Sequence, residues 1–193
     1  MRIICKDVVI RDFESKDVNT LREIVAEPGI VRFMKDWWEN STVPGRLEGY
    51  VDWLQTQSES VDVLENKRYA IALKETDEVI GMVGMGLEEN TNEVEVAYFM
   101  RESCQHKGYA KQAVTALANW CFEVSKLPYL ILTIDPLNTA SCMLAEKCGF
   151  ELFEKRTPVG HIQPNMESES YFYYRKYREG GEGRRCSGSC RYQ

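Results

Sequence analysis

The sequence has no long apolar run and no excess of positive charge, and each absence argues against a class of protein. No stretch approaches the ~20 consecutive apolar residues that a membrane-spanning helix needs. The first residues, MRIICKDVVIRDF, carry charges where a secretory signal peptide needs an unbroken apolar core. The net charge of −6 argues against a basic nucleic-acid-binding surface and favours cationic partners. We therefore expect a cytoplasmic protein with no membrane and no nucleic-acid partner.

Metal-ligand spacing is also absent from the seven cysteines. Two of them, Cys186 and Cys190, form the segment CSGSC near the end of the chain, where no other candidate ligands accompany them. A metal site or redox switch there is the weaker interpretation, and we predict no metal. The other five are interpreted as reduced thiols: Cys5, Cys104, Cys121, Cys142 and Cys148.

Length and composition predict one domain over residues 1–178, which is long enough to bury a sizeable core. No internal repeat is present. From Glu179 onward the sequence EGGEGRRCSGSCRYQ has no apolar periodicity, so residues 179–193 are expected to be a disordered tail.

The first half of the domain predicts two helices and then a run of strands. After a strand at Asp7–Phe13, SKDVNTLREIVAE reads as a helix that Ser15 or Asp17 caps and Pro28-Gly29 closes. RLEGYVDWLQTQ reads as a second helix. Short polar breaks then separate three strands, which are expected to be antiparallel neighbours, at 68–75, 79–88 and 93–100.

The second half alternates strands with helices. A helix starts near Ala110, and YLILTI (129–134) is apolar enough to be a strand buried on both faces. TASCMLAEKC reads as a helix that Gly149 ends. Two further strands, FELFEKR and SYFYYRKY, flank a polar loop at 157–169. The whole predicts an α+β or mixed α/β fold with a right-handed parallel crossover.

The segment QHKGYA lies between a strand and a helix start, where unpaired backbone N–H groups and the helix dipole favour anions. Gly108 allows close approach or a positive φ, Lys107 adds charge, and Gln105 can donate from its amide. These features predict a pyrophosphate site. The alternative is a plain strand-to-helix turn, because the segment is neither a Walker loop nor a dinucleotide fingerprint.

The pair of motifs Q-x-K-G-Y-A and N-x-x-S…EK-x-GF resembles the GNAT superfamily of acetyl-CoA-dependent N-acetyltransferases. The first motif resembles the acyl-CoA motif Q/R-x-x-G-x-G/A, with Ala110 in the last position. The order of segments, including RFMKDWW and EVEVAYFMRESCQHKGYA, resembles the RimJ/RimL-type branch over about residues 8–178. The resemblance implies a mostly antiparallel, mixed sheet of about seven strands, flanked by helices, with one splayed parallel pair.

The resemblance also implies acetyl-CoA as co-substrate, with its pantetheine between the strands 93–100 and 129–134. Asn138 and Ser141 would reach the pantetheine and thioester region. The remaining residues implied to bind it are the backbone of Phe99, Met100 and Arg101 and the pyrophosphate loop of Gln105, His106, Lys107, Gly108, Tyr109 and Ala110.

A general base is needed because an amine attacks a thioester only when it is neutral. Glu95 is a carboxylate inside an otherwise apolar strand, where burial would raise its pKa towards neutrality. It also matches the glutamate of the branch's E-x-G-Y pattern, with Ala97 replacing the glycine. Glu95 is thus the candidate base, and an exposed or salt-bridged strand glutamate is the alternative.

The acid is less specified, because Ala145 stands where many members of the superfamily carry a tyrosine. Ser141 is the substitute candidate, with capping of a backbone N–H as its alternative role. His106 is interpreted as an exposed or ligand-contacting residue rather than a base.

An aromatic cluster made of Phe33, Trp37 and Trp38, with Trp53 and the 157–169 loop, is predicted to line the acceptor cleft. Core packing is the alternative, and adjacent tryptophans cannot both face inward.

The predicted activity is acetyl transfer to a primary amine, by direct attack in a ternary complex. An α-amine at a peptide or protein N-terminus is preferred, since its pKa of ~8 lies well below the ~10.4 of lysine. The alternatives are a small-molecule acceptor (polyamine, aminoglycoside or amino acid) and a non-catalytic acyl-CoA-binding module. The protein is expected to be a monomer or homodimer.

Overall fold

The computed structural model describes residues 1–57, 60–88, 91–157 and 167–179, and its centre is one eight-stranded sheet. The spatial order of the strands is β1-β2-β3-β4-β5-β6-β8-β7. The strands are β1 (Arg2–Ile4), β2 (Val8–Arg11), β3 (Lys67–Leu73), β4 (Val79–Glu88), β5 (Glu93–Met100), β6 (Tyr129–Ile134), β7 (Glu151–Arg156) and β8 (Tyr171–Tyr177).

In the described residues, six helices pack on this sheet, and two short 3-10 turns, Ser15–Asp17 and Glu102–Cys104, precede α1 and α5. Within the described ranges, no helix is long and apolar enough to cross a membrane. The helices are α1 (Val18–Val25), α2 (Pro28–Phe33), α3 (Lys35–Thr42), α4 (Arg46–Thr56), α5 (Tyr109–Val124) and α6 (Thr139–Lys147).

The predicted α+β class and the single parallel strand pair are confirmed. Every neighbouring pair in the sheet is antiparallel except β5 and β6. The sheet has eight strands rather than about seven, because β1 was not predicted. With only three residues, β1 is too short to display an alternating pattern, and its pairing with β2 defines it.

The alternation of side chains along β5 gives the sheet two cores. Phe99 packs on one face against α1, α3 and α4. Met100 points to the other face, where α5 contributes Val114, Leu117 and Cys121. The two faces of β5 therefore meet different groups of helices.

Two helix boundaries differ from the sequence prediction. Pro28 and Gly29 begin α2 instead of closing α1, which ends at Val25. Proline is well suited to the first helical position, because its missing N–H would have no intrahelical partner there. Gly149 does follow α6 in a left-handed conformation, at φ +81°, as a glycine at a helix end should.

Asp17 does not cap α1 with its side chain; its carboxylate accepts the N–H of Glu14 at 2.8 Å and binds a buried arginine. Nη1 and Nη2 of Arg11 donate to the two carboxylate oxygens of Asp17 at 2.6 and 3.0 Å, and both residues are 4% exposed. Nε of Arg11 also donates to Asp77, in the turn between β3 and β4, at 2.8 Å. Burial lowers the pKa of Arg11, but the hydrogen bonds to Asp17 and Asp77 outweigh it and raise the pKa. This network joins β2, the start of α1 and the β3–β4 turn.

The described cysteines, Cys5, Cys104, Cys121, Cys142 and Cys148, are free thiols, as predicted. No group of three His, Cys, Asp or Glu side chains within the described ranges is arranged to hold a metal ion. The tail from residue 180, with Cys186 and Cys190, lies outside the described residues, so its predicted disorder stays a prediction.

Replacement of Asp17 by alanine should destabilise the protein strongly, because it leaves the guanidinium of Arg11 buried with only part of its charge balanced. Removing one partner of a buried ion pair costs about 3–5 kcal/mol. Urea unfolding of Asp17→Ala should show a loss near the lower end, since Asp77 remains. The control is Glu39→Ala, which breaks the exposed Lys35–Glu39 pair and should change stability by less than about 1 kcal/mol. Equal losses in the two variants would contradict the assigned role of Asp17.

Candidate active site

The parallel strands β5 and β6 form a fork. Both lie wholly within the described residues, and a single register pair, Glu95 opposite Ile131, joins them. From that pair towards their C-terminal ends the two strands part. The N–H of Arg101 donates to the carbonyl of Ile80 in β4 at 2.8 Å. Since backbone groups alternate along a strand, those of Met100 face the fork instead.

The sequence predicted that the backbones of Phe99, Met100 and Arg101 all bind the co-substrate, but the three do not all face the fork. Met100 presents its N–H and carbonyl to the fork, and so does Tyr98 two residues earlier. Phe99 directs its backbone groups to β4, whereas Arg101 donates its N–H to β4 and accepts the N–H of Cys104 at its carbonyl. The side chain of Gln105, expected to donate to phosphate, donates Nε2–H to the carbonyl of Met100 at 3.1 Å.

The loop between β5 and α5 presents an open helix N-terminus. Gly108 directly precedes α5 with φ +81°, and His106 also has a positive φ of +60°. His106, Lys107 and Gly108 are exposed. A Cβ placed on Gly108 would meet no atom within 4 Å, so the space above this glycine is free. The first N–H groups of α5 therefore face a space that a phosphate can enter.

The second arm of the fork continues into α6. Asn138 is the N-cap of α6, and its Oδ1 accepts the N–H of Ser141 at 3.2 Å. The hydroxyl of Tyr98 reaches from β5 to the same turn and donates to the carbonyl of Ser141 at 3.2 Å. Burial raises the pKa of Tyr98. Sequence analysis did not single out Tyr98, because nothing in its alternation with apolar neighbours shows that it spans the fork.

Glu95 lies where the two strands part. Its Oε1 accepts the backbone N–H of Thr133 in β6 at 2.9 Å, and the hydroxyl of Thr133 donates to the same oxygen. Burial raises the pKa of Glu95 to about 7, although these two hydrogen bonds oppose the rise. Glu88 adds to the rise and Arg68 opposes it. Glu95 is thus neither exposed nor ion-paired, the two alternatives that the sequence left open.

Glu93, the neighbouring carboxylate on the same face of β5, has its charge balanced by the groups around it. Glu93 accepts hydrogen bonds from the hydroxyls of Tyr129 and Tyr173, both at 2.6 Å, and pairs with Arg175 at 3.3 Å. Such partners occupy its oxygens and balance its charge. Glu95, by contrast, has a pKa of about 7 and is suited to exchange a proton near neutral pH.

The aromatic residues predicted to line the acceptor cleft do not all lie on one exposed surface. Trp37 is buried in the core, edge-on to Phe99 at 5.1 Å and to Tyr50 at 5.5 Å, while Trp38 points outward. The ring of Trp53 is 44% exposed and stacks on Tyr50. Core packing therefore accounts for Trp37.

Phe33 is half-buried, with the guanidinium of Arg32 over its ring at 4.8 Å. Arg32 also pairs with Glu167 at 2.8 Å, which joins α2 to the segment before β8. The Oδ2 of Asp135, just after β6, accepts the N–H of Glu167 at 2.7 Å. Most of the predicted loop, residues 158–166, lies outside the described residues.

A forked parallel strand pair, an open helix N-terminus and a carboxylate at the fork define a fold that can hold an acylated coenzyme against an amine. Residues 7–151 match the family model described as the acetyltransferase (GNAT) domain. The chain belongs to this acetyltransferase family and is an acyltransferase. The family predicted from the two motifs is confirmed.

Individual relatives are similar over most of the chain. The uncharacterized N-acetyltransferase p20 of Bacillus licheniformis is 26% identical over 75% of this chain and 79% of its own. The solved structure of Mycobacterium smegmatis RimJ in complex with CoA-disulfide has a TM-score of 0.70 at 17% identity, over 89% and 82% of the two chains. The ribosomal-protein-S5-alanine acetyltransferase from Vibrio fischeri has a TM-score of 0.72 at 15% identity, over 95% and 100%. These two structures share the fold.

The raised pKa of Glu95 should make stability depend on pH. The folded protein binds the Glu95 proton more tightly than the unfolded chain, from the ordinary value of 4.5 up to about 7. The free energy of unfolding should therefore fall as pH rises through this window, by on the order of 3 kcal/mol from this group. The side chain of Glu95→Gln cannot ionise, so the variant should not lose this stability. The difference in unfolding free energy, variant minus wild type, should therefore increase between pH 4.5 and pH 8.

Urea unfolding at several pH values measures this difference. The control Glu151→Gln removes an exposed glutamate of β7 and should follow the wild type at every pH. A Glu95→Gln curve parallel to that of the wild type would show that the pKa of Glu95 is not raised.

Proposed function

We propose that the protein transfers an acetyl group from acetyl-CoA to the α-amine at the N-terminus of a peptide or protein, with Glu95 as the general base. The observation that carries this proposal is the position of Glu95 at the fork of β5 and β6, held by Thr133 with a pKa of about 7. A carboxylate with this pKa is well matched to an acceptor α-amine, whose pKa is ~8.

The residues present fit the coenzyme. The space above Gly108 leaves the N-terminus of α5 open to a pyrophosphate, with Lys107 beside it. The backbone of Tyr98 and the N–H of Met100 offer strand-type hydrogen bonds along the fork. When bound, acetyl-CoA supplies an acetyl group activated as a thioester, which a neutral amine attacks directly in a ternary complex. The amide of Asn138, at the other arm, is the proposed polar contact there.

Two hydroxyl groups are candidates for the proton donor. Ser141 stands on the first turn of α6, where the amide oxygen of Asn138 already provides the side-chain cap, so the hydroxyl of Ser141 is not required for that role. The phenol of Tyr98 reaches the carbonyl of the same residue. We propose Ser141 as the donor, with Tyr98 orienting that turn.

The acceptor proposal is supported by the structural neighbour named for the alanine of ribosomal protein S5. The second candidate is a small-molecule amine. It retains support from Trp53, whose exposed ring stacked on Tyr50 offers a flat surface to a small cation.

Replacement of Gly108 by aspartate should abolish or strongly weaken acetyl-CoA binding, because it places a negative charge where phosphates should lie. Isothermal titration calorimetry should show a loss of at least about tenfold in affinity. Gly45→Asp is a matched control, because Gly45 also has a positive φ (+75°), also precedes a helix and also has free space around it. It should bind acetyl-CoA as the wild type does. Unchanged affinity in Gly108→Asp would exclude the loop as the phosphate site.

Replacement of Glu95 by glutamine should lower kcat by about 10²–10⁴-fold, the usual contribution of a general base. Thiol release from acetyl-CoA with N-terminal Ser or Ala peptides measures this rate. Wild-type kcat/KM should rise with pH through about 7, as Glu95 ionises, and the variant should lack that step.

The same assay with N-blocked lysine peptides, spermidine and an aminoglycoside tests the acceptor. Faster turnover of blocked lysine peptides would contradict the α-amine proposal, and faster turnover of spermidine or the aminoglycoside would favour the second candidate. Retained activity in Glu95→Gln would remove Glu95 as the base.

A further inference from the structure

A cation without a carboxylate partner in the described residues lies on the same face of the sheet as Glu95, two strands away. Arg68 of β3 is in register with Gly84 of β4, which is in register with Ala97 of β5. The next row along the strands places Gly86 opposite Glu95. Side chains of aligned residues emerge on the same face, so Arg68 and Glu95 share one surface.

The residues between the two charged groups are small, so no large side chain of β4 or β5 separates Arg68 from Glu95 on this face. Gly84, Gly86 and Ala97 form its floor. The side chain of Arg68 lies beside this floor, since a Cβ on Gly84 would come within 2.5 Å of Cδ of Arg68. The guanidinium lies over the β3–β4 pair, because Nη1 donates to a carbonyl of each strand. The rows of Arg68 and Glu95 are about 7 Å apart along the strands, and β3 and β5 are two strand spacings, about 9.6 Å, apart across the sheet.

The guanidinium is fixed at one nitrogen and has donors to spare. Nη1 of Arg68 donates to the carbonyls of Lys67 and Met85, both at 2.9 Å. Within the described part of the chain, no carboxylate lies within 4.0 Å of it, and neither Nε nor Nη2 has a hydrogen-bond partner. Arg11 and Arg175, by contrast, are each paired with a carboxylate.

Electrostatics supports the same placement. Burial raises the pKa of Glu95 and that of Tyr50, and the charge of Arg68 opposes the rise at both groups. The charge of Arg68 thus acts both on the base and on Tyr50, which stacks on Trp53. A cation in this position repels polyamines and aminoglycosides and attracts an anion.

We infer that Arg68 binds a carboxylate of the acceptor, and that the acceptor is an amine carrying a negative charge about one residue away from the reacting nitrogen. This inference rests on the proposed function, since it places the amine at Glu95. A peptide with Asp or Glu as its second residue can reach both groups, because an extended chain advances about 3.3 Å per residue and the acidic and arginine side chains span the remainder. The α-carboxylate of a free amino acid is the same chemistry at a shorter distance. Arginine suits the task, because its planar fork matches a carboxylate.

Three peptides that differ only in their second residue test the inference: Ala-Asp, Ala-Asn and Ala-Lys at the N-terminus of one common sequence. Wild-type kcat/KM should be at least about tenfold higher for Ala-Asp than for Ala-Asn, and lowest for Ala-Lys. In Arg68→Gln the three values should converge, mainly through KM, while Arg68→Lys should keep part of the preference. Arg46→Gln, an exposed arginine of α4 bonded to Asn40, is the control and should keep all of it. Free aspartate and alanine form a fourth arm, and faster turnover of these would assign the carboxylate to a free amino acid.

A purely structural Arg68 would lower the activity with all three peptides equally and leave their ratio unchanged, which would overturn the inference. So would a wild-type ratio near one. If Arg68→Gln does not fold, the wild-type preference for Ala-Asp should still fall as salt rises from 0.01 to about 0.5 M, because salt screens charge pairs. Absence of acetyl transfer to every acceptor would overturn the proposed function instead. Peptide binding to the CoA-saturated protein, measured by titration calorimetry, would then decide on Arg68 alone.

Discussion

The hydrogen bonds from Thr133 to Glu95 serve both the fold and the proposed chemistry, because they join β5 to β6 where the strands part and fix the carboxylate there. Strands β5 and β6 must pair to close the sheet and must part to leave a cleft. Where a ladder ends inside a protein, the next backbone N–H needs another partner. Oε1 of Glu95 supplies that partner to Thr133, so the strands separate without leaving a buried donor unpaired. The same contact fixes the position of the carboxylate.

The arms of the fork end in helices, and this determines what each arm can bind. Chain direction places the C-terminal ends of β5 and β6 at the same edge, and α5 and α6 start just beyond them. Both helices therefore direct their N-terminal ends towards that edge. Their caps differ, however. Gly108 leaves the start of α5 bare, whereas Asn138 occupies a donor of α6 with its own amide oxygen. The bare end is the one suited to an anion.

Sequence patterns predicted the strands that form the fork better than the contacts within it. The bounds of β4, β5 and β6 agree with the predicted segments, because polar breaks or helix signals limit each apolar run. Glu95 was also identifiable, since a carboxylate in an apolar strand is costly unless it has a purpose. Thr133, Tyr98 and Arg68 carried no such signal. Their roles depend on strand register, which brings residues far apart in the chain onto one surface.

Choices between neighbouring residues were likewise decided by tertiary packing. Trp37 faces the core and Trp38 does not, because Phe99 and Tyr50 receive only the first ring. Asp17 was a candidate cap of α1, but its carboxylate binds the buried guanidinium of Arg11 and the N–H of Glu14 instead. The dipeptide Pro28-Gly29 was interpreted as the end of α1, whereas Pro28 is the first residue of α2. In each case the local propensity was satisfied elsewhere or overridden by a long-range contact.

The charge of the whole chain and the charge of the cleft lead to different expectations about the acceptor. A net charge of −6 favours cations at a distance, where the summed field governs encounter. On the same face of β5, Glu93 is already matched by Arg175, so it adds little attraction for an amine. With a pKa of about 7, Glu95 carries only part of its negative charge near neutral pH, and Arg68 adds a positive charge on the same face of the sheet. Because short-range pairing is screened less than the long-range field, the local balance determines what remains bound. A molecule with one amine and one carboxylate satisfies both groups, whereas a polycation satisfies only Glu95.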